Sequence, residues 1–262
     1  MIEILNIFFV IIFFLLFSAF PININNYHRS SFIKKNVFDV LTVNLIFSFI
    51  GLLFISFLSF NYSVYLILVI LLSGLFNLIY LTKNINFLKK NLNIYFLYFL
   101  VCNLIIFIHL AGDPTMSWDG IENWFFKAQN FFYNFNFFDL NNIRGTNYYP
   151  HFGSFLWGFF WKNSFLQYEY LGRLFYVFIF LLSIFSISDL IEKNNFIKPI
   201  VISLILLLCY DRFLFGGYQD ILLFSFLIFL SKYFYFYDLT KKNFYLIISF
   251  LFLNFLPWIK NE

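Results

Sequence analysis

The chain reads as an all-α polytopic membrane protein: about eight transmembrane helices and one large outer loop that carries interfacial helices. Three observations predict this. Hydrophobic residues fill 62% of the 262 positions and charged residues only 11%, more apolar surface than a soluble fold of this length can hide. Apolar stretches recur, most near the ~20 residues that cross a bilayer as helix. Lysine and arginine mostly punctuate those stretches instead of interrupting them.

The first stretch, 4–20, has no basic leader and no small-residue cleavage site, which makes it a span and not a secretory signal. Spans follow at 38–60, 64–81 and 94–111, and after the loop at 173–191, 199–215, 220–237 and 244–259. Residues 1–93 form an N-terminal set of spans without a recognisable motif. Residues 94–262 hold the candidate chemistry, most of it in the loop 112–172. The 46 phenylalanines, with abundant Ile, Asn, Lys and Tyr, fit AT-rich codon usage and carry little functional information. Cys102 and Cys209 both lie in apolar stretches, so neither a disulfide framework nor a metal site is expected from them. The net charge of +4 comes without a basic run, which argues against nucleic acid as a partner.

Loop charges set the expected orientation. Arg29, Lys34, Lys35, Lys83, Lys89, Lys90, Lys193, Lys198, Lys241 and Lys242 fall in one set of loops, and Lys232 is expected to snorkel to that side. Lys127, Arg144, Lys162, Arg173, Arg212 and Lys260 fall in the other, spread over a far longer loop. The positive-inside rule then places both termini and the large loop outside. The acids lean the other way, with only Asp39, Asp189, Glu192 and Asp238 expected inside. Gly153–Trp161 is apolar but too short to span, and is expected as an interfacial or re-entrant helix with its tryptophans at headgroup depth.

Within the loop, WDGIENWFFKAQNFF (Trp118–Phe132) has helical periodicity. On a wheel, Asp119, Glu122, Asn123, Lys127, Asn130 and Asn134 share one side. Ile121, Trp124, Phe125, Ala128, Phe131, Phe132 and Phe135 cover the other, with Phe126 and Tyr133 as exceptions on the polar side. The expected element is a helix lying on the membrane, apolar face down. Asp119 and Glu122 admit two readings: an acid pair favoured by a helix N-terminus, or a functional pair. Asp220, in FGGYQD where the seventh span begins, admits the same two, as do Lys260 and Glu262 after Pro257–Trp258. His151, after Tyr148-Tyr149-Pro150, is a better ligand candidate than His109, which is near a span end, or His28, which is in an inner loop.

Four segments on the expected outer side occur in order: WDGIENWFFKAQ, YYPHFGSFLWGFFW followed by LGRL, GYQD, and KNE at the end. Together they resemble polytopic glycosyltransferases of the GT-C superfamily. The closer likeness is to bacterial members with a Trp-Asp-Ala…Trp…Lys-Ala segment, a His-Pro-Asp-Tyr-Pro-like segment, a Tyr-Ala-Asp segment and a Lys-Asn-Glu-Gly segment. The resemblance covers about residues 94–262.

It implies a transferase of the cytoplasmic membrane, with its site facing the periplasm or outside. Such an enzyme moves a sugar from a polyprenyl-phosphate donor to a glycan, lipid or protein acceptor. It maps an essential acid onto Asp119 and a second onto Asp220, with Lys127, Lys260 and Glu262 in matching segments. Glu122, Tyr149, His151 and Arg173 join them as substrate-binding candidates. Asp119 is a base, or a metal ligand beside Asp220 for Mg²⁺ or Mn²⁺; some members need no metal. Gly120 stands where the family has a small Ala. Only Tyr149 and Pro150 match the end of the His-Pro-Asp-Tyr-Pro segment, and His151 follows instead of preceding. Family members continue with further spans, so this chain is expected to be a fragment, half of a split gene or a degenerate copy, with a second polypeptide completing the fold. The other reading is a non-catalytic or transport-type membrane protein of envelope glycan assembly: a flippase, a polymerase-like protein or a subunit.

Overall fold

The computed structural model describes residues 2–19, 37–58, 68, 72, 74–75, 94–140, 150–164, 166–191, 197–209 and 215–260. Among these it is all-helical, with no strand. The elements are α1 (Ile2–Ala19), α2 (Val37–Ser56), α3 (Ile94–Gly112), a π-helical turn (Gly120–Phe125), α4 (Phe126–Phe132), α5 (Phe137–Leu140), α6 (Phe152–Lys162), α7 (Glu169–Ile191), α8 (Ile197–Cys209), α9 (Asp220–Thr240) and α10 (Asn243–Ile259). Four helices are long and apolar enough to cross a membrane: Val37–Ser56, Ile94–Gly112, Glu169–Ser188 and Asp220–Thr240. Ile4–Ser18, Ile197–Leu208 and Asn243–Ile259 are shorter apolar helices at three more of the expected spans. The span expected at 64–81 lies largely outside the described residues.

Side-chain contacts fix the directions of the main helices. Phe49 of α2 stacks on Phe226 of α9, and Asp39 pairs with Lys232, so α2 and α9 run antiparallel. Phe226 meets Phe255 and Tyr233 meets Tyr245, which makes α9 and α10 an antiparallel hairpin about its left-handed Lys241 turn. Phe180 meets Phe224, and Ser186 meets Lys232, so α7 runs parallel to α9. Ser56, Glu169, Asp220 and Ile259 therefore share one end of the bundle, the end that also carries the 112–172 segment. The helix α7 is the hub: residues 171–185 are buried throughout, packed on α3, α6 and α9.

Three expectations are corrected here. Phe17 of α1 meets Ser48 and Phe175, in the half of α2 and α7 nearest the loop, although the charge pattern places this part of the first span at the opposite end. With three cations deciding the first crossing, packing overrides the count. Gly153–Trp161 is helical as expected, but of the two forms expected the interfacial one is overturned: α6 is buried in protein, with Trp157 fully buried and only Trp161 and Lys162 partly exposed. Glycines let it sink in. A Cβ on Gly158 would meet Ala128 O at 2.5 Å, and one on Gly172 would meet Trp157 O at 2.3 Å. Lys232 does not snorkel; it is buried against Asp39 and Ser186.

Candidate functional site

The π-helical turn opens the site. Ser117 starts it: its N–H and its hydroxyl both donate to Gly216 O, at 2.9 and 3.0 Å, and Gly120 N–H donates to Ser117 Oγ at 3.1 Å. Gly120 then lies directly on the Gly216–Gly217 turn. A Cβ on Gly120 would stand 2.4 Å from Gly216 O, and one on Gly217 would be 3.2 Å from the Gly120 Cα. Gly217 also needs its left-handed φ of +106°. Main chain on main chain thus joins the WDG segment to the GGYQD segment, 99 residues away in sequence.

Asp119, next to this seam, is held by two donors on its own helix. Trp124 Nε1 donates to Oδ2 at 3.1 Å, and Asn123 Nδ2 donates to Oδ1. Each carboxylate oxygen keeps a lone pair. Glu122 and Trp118 are exposed beside it. The expected apolar face of this helix is covered, but by protein: Ala128 and Phe131 pack on Gly158 of α6. Lys127, expected on the polar side, is instead buried, and Ile121, expected on the apolar side, is exposed. The physical reason is the π turn. It takes more residues per revolution than an α-turn, so residues beyond it rotate away from a regular wheel.

Lys127 donates to Pro150 O at 3.4 Å and lies 5.8 Å from the Trp124 ring. Burial lowers its ammonium to about 8, so it stays mostly protonated at neutral pH. His151 sits in a box of Phe57, Phe131, Phe137 and Trp258. Ser56 Oγ gives its one proton to Leu53 O at 2.6 Å, so the 3.0 Å contact between His151 and Ser56 runs from Nε2–H to Oγ. Burial, with the Lys127 charge near it, lowers His151 to about 3, and the ring is neutral. It ties the end of α2 to the start of α6 and is closed off as a ligand.

Arg173 is also committed. Its Nε and Nη2 grip Glu169 Oε1 and Oε2 at 2.8 and 2.9 Å. Nη1 donates to Thr115 O and Phe215 O, and Nη2 to Pro114 O. All five N–H donors of the guanidinium are used, so Arg173 clamps the two strands of chain that enter the seam. These contacts leave none of its N–H groups over for the substrate-binding role expected of it. Asp220, the first residue of α9, accepts from Lys260 Nζ at 2.8 Å, with side-chain exposures of 44% and 14%. Tyr149 and Glu262 lie outside the described residues.

Sequence reasoning missed Gln219, Tyr176 and Ser117. Gln219 is fully buried; its Nε2 donates to Tyr176 Oη at 3.0 Å, and Tyr176 donates to Gly153 O at 2.7 Å. This chain of hydrogen bonds fastens the GYQD turn to α6. The available signal was a polar residue between glycines and a span, which reads as exposed until tertiary contacts are known. Among the described residues, no group of three or more His, Cys, Asp or Glu side chains could hold a metal ion. A divalent ion between Asp119 and Asp220 would take most of its oxygens from phosphate and water. Neither family models, curated proteins nor solved structures give a match to this chain.

Proposed function

We propose that the protein is a membrane glycosyltransferase that moves a sugar from a polyprenyl-phosphate donor to an acceptor on the outer face of the membrane. The observation that carries this reading is the Gly120–Gly216 seam. It unites, at one end of the helical bundle, the acid-bearing segment around Asp119 and the segment leading to Asp220, which in turn holds Lys260. The described parts of the four segments lie at this same end, joined by the seam, by Gln219–Tyr176–Gly153 and by Lys260–Asp220, which supports the reading.

Such transfer needs a base for the acceptor hydroxyl, positive charge for the departing phosphate, and access to both lipid and water. Asp119 is the base: it is oriented by Asn123 and Trp124, half-buried, and has a free lone pair on each oxygen. Lys260, paired with Asp220, is the cation that would turn to the phosphate. Lys127 adds a fixed positive charge beneath the helix. Arg173 and His151 position the segments without touching substrate.

The test compares lipid-linked and surface glycans in cells with and without the gene, and with Asp119→Asn in its place. The expected result is a glycan that disappears on deletion and is not restored by Asp119→Asn. Unchanged glycans on deletion, or full restoration by the variant, would overturn the reading. A transport protein is the second reading, and the Asp39–Lys232 pair inside the spans is the observation in its favour. A transport route needs ionisable groups along its length, whereas this pair is sealed and the remaining described charges gather near helix ends.

A further inference from the structure

We propose that Asp39 and Lys232 are an intramembrane assembly lock, coupling insertion of α9 to docking of α2 and α7. Both residues lie on helices long and apolar enough to span. At 1.5 Å per residue Lys232 is ~18 Å from Asp220 and ~12 Å from Thr240 along α9, and Asp39 is in the first turn of α2; both are buried between helices. The side chains are 0% and 2% exposed, so the ammonium has no path to water along its own stem.

The geometry uses the whole ammonium. One N–H goes to Asp39 Oδ1 on α2, and the others go to Ser186 O and Ser186 Oγ on α7, both at 2.6 Å. Three donors are spent on two neighbouring helices. Tyr233 Oη reaches Asp39 O at 3.5 Å, and the Tyr233 and Phe236 rings lie 6.0 and 5.6 Å from Nζ. A buried lysine without a counter-charge is costly in lipid. Here the two charges that meet come from residues 193 positions apart, so the pair closes only after both helices are side by side. A helix whose partner is missing is left with a bare charge facing lipid, which marks the unassembled chain. Snorkelling would satisfy either charge alone and would leave the helices uncoupled; full burial excludes it. The site end is knitted separately by the glycine seam and Arg173, so the lock pins the half of the bundle that those contacts do not reach. This holds whatever the protein's activity is.

The experiment is a double-mutant cycle in the full-length chain with Asp39→Asn, Lys232→Met and both together. Protein in the membrane fraction is quantified by immunoblot, and unfolding temperature is measured in mild detergent. Each single change should lower the amount about tenfold, because a buried charge is left unpaired. The double change should recover it above both singles. A double variant no better than the worse single would overturn the lock, as would singles that match the parent. The immunoblot reads abundance directly, so variants that never fold still report.

Discussion

Gly120 and Gly216 touch through their main chains, with room for no side chain between them: a Cβ on Gly120 would lie 2.4 Å from Gly216 O. An alanine at position 120 must push the 215–217 turn away. Gly120→Ala is expected to destabilise by about 1–3 kcal/mol, the usual cost of overpacking. It should also lower any activity that needs both segments. Thermal unfolding in detergent beside a glycan assay would show both losses; an unchanged unfolding temperature would mean that the turn yields freely.

Arg173→Lys tests the clamp. Lysine keeps the charge but offers three donors on a flexible stem, against the five that Arg173 uses on Glu169, Pro114, Thr115 and Phe215. At least two acceptors lose a partner, and of the five contacts only the one to Phe215 O is fully buried. The expected loss is about 1–3 kcal/mol, the cost of one buried unsatisfied group, read as a lower unfolding temperature. Wild-type stability in Arg173→Lys would return Arg173 to the substrate-binding candidates.

The Asp220–Lys260 pair predicts the opposite balance. Asp220 is nearly half exposed, so the ion pair adds only about 0–1 kcal/mol to stability. Lys260→Gln should leave the unfolding temperature almost where it was while reducing transfer substantially. A large drop in stability without loss of transfer would make the pair a fastener and not a working part.

His151 sets an acid limb. Its folded value is lowered to about 3, against about 6.5 when unfolded. Between those values the unfolded chain binds a proton that the folded chain refuses, so stability falls as pH drops from about 6.5 toward 3 and is fully present above 6.5. His151→Phe keeps the aromatic box filled and should flatten this limb, although Ser56 loses its donor. Lys127 cannot mimic the effect, because its own window lies between about 8 and 10.5, where stability rises with pH as the unfavourable buried charge is lost. Unfolding curves from pH 7 to pH 4 for parent and variant decide it; parallel curves would place the acid sensitivity elsewhere.

Much of the architecture is legible in local sequence, because hydropathy and charge punctuation report directly on what lipid accepts. The sharing of one end by Asp119, Asp220 and Lys260 followed from helix direction alone. What hydropathy could not reveal is which neighbour covers an apolar face. Trp157 and Phe131 are apolar whether they meet lipid or Gly158 and Gly217, and only the close approach at those glycines tells the two apart. A wheel puts Lys127 on the polar side because it assumes constant rotation, which the Gly120–Phe125 turn breaks. Snorkelling is a single-helix solution for Lys232, whereas its partner Asp39 lies 193 residues away.

The aromatic box around His151 has a spectroscopic consequence. Its imidazole is 4.1 Å from the Phe137 ring centroid and edge-on to Phe57 and Trp258, where ring currents displace proton resonances. A ring that stays neutral far below neutral pH also holds its signal still across that range. With three histidines in the chain, one shifted and pH-silent imidazole peak would serve as a native reporter of whether α2, α6 and α10 remain closed around the loop.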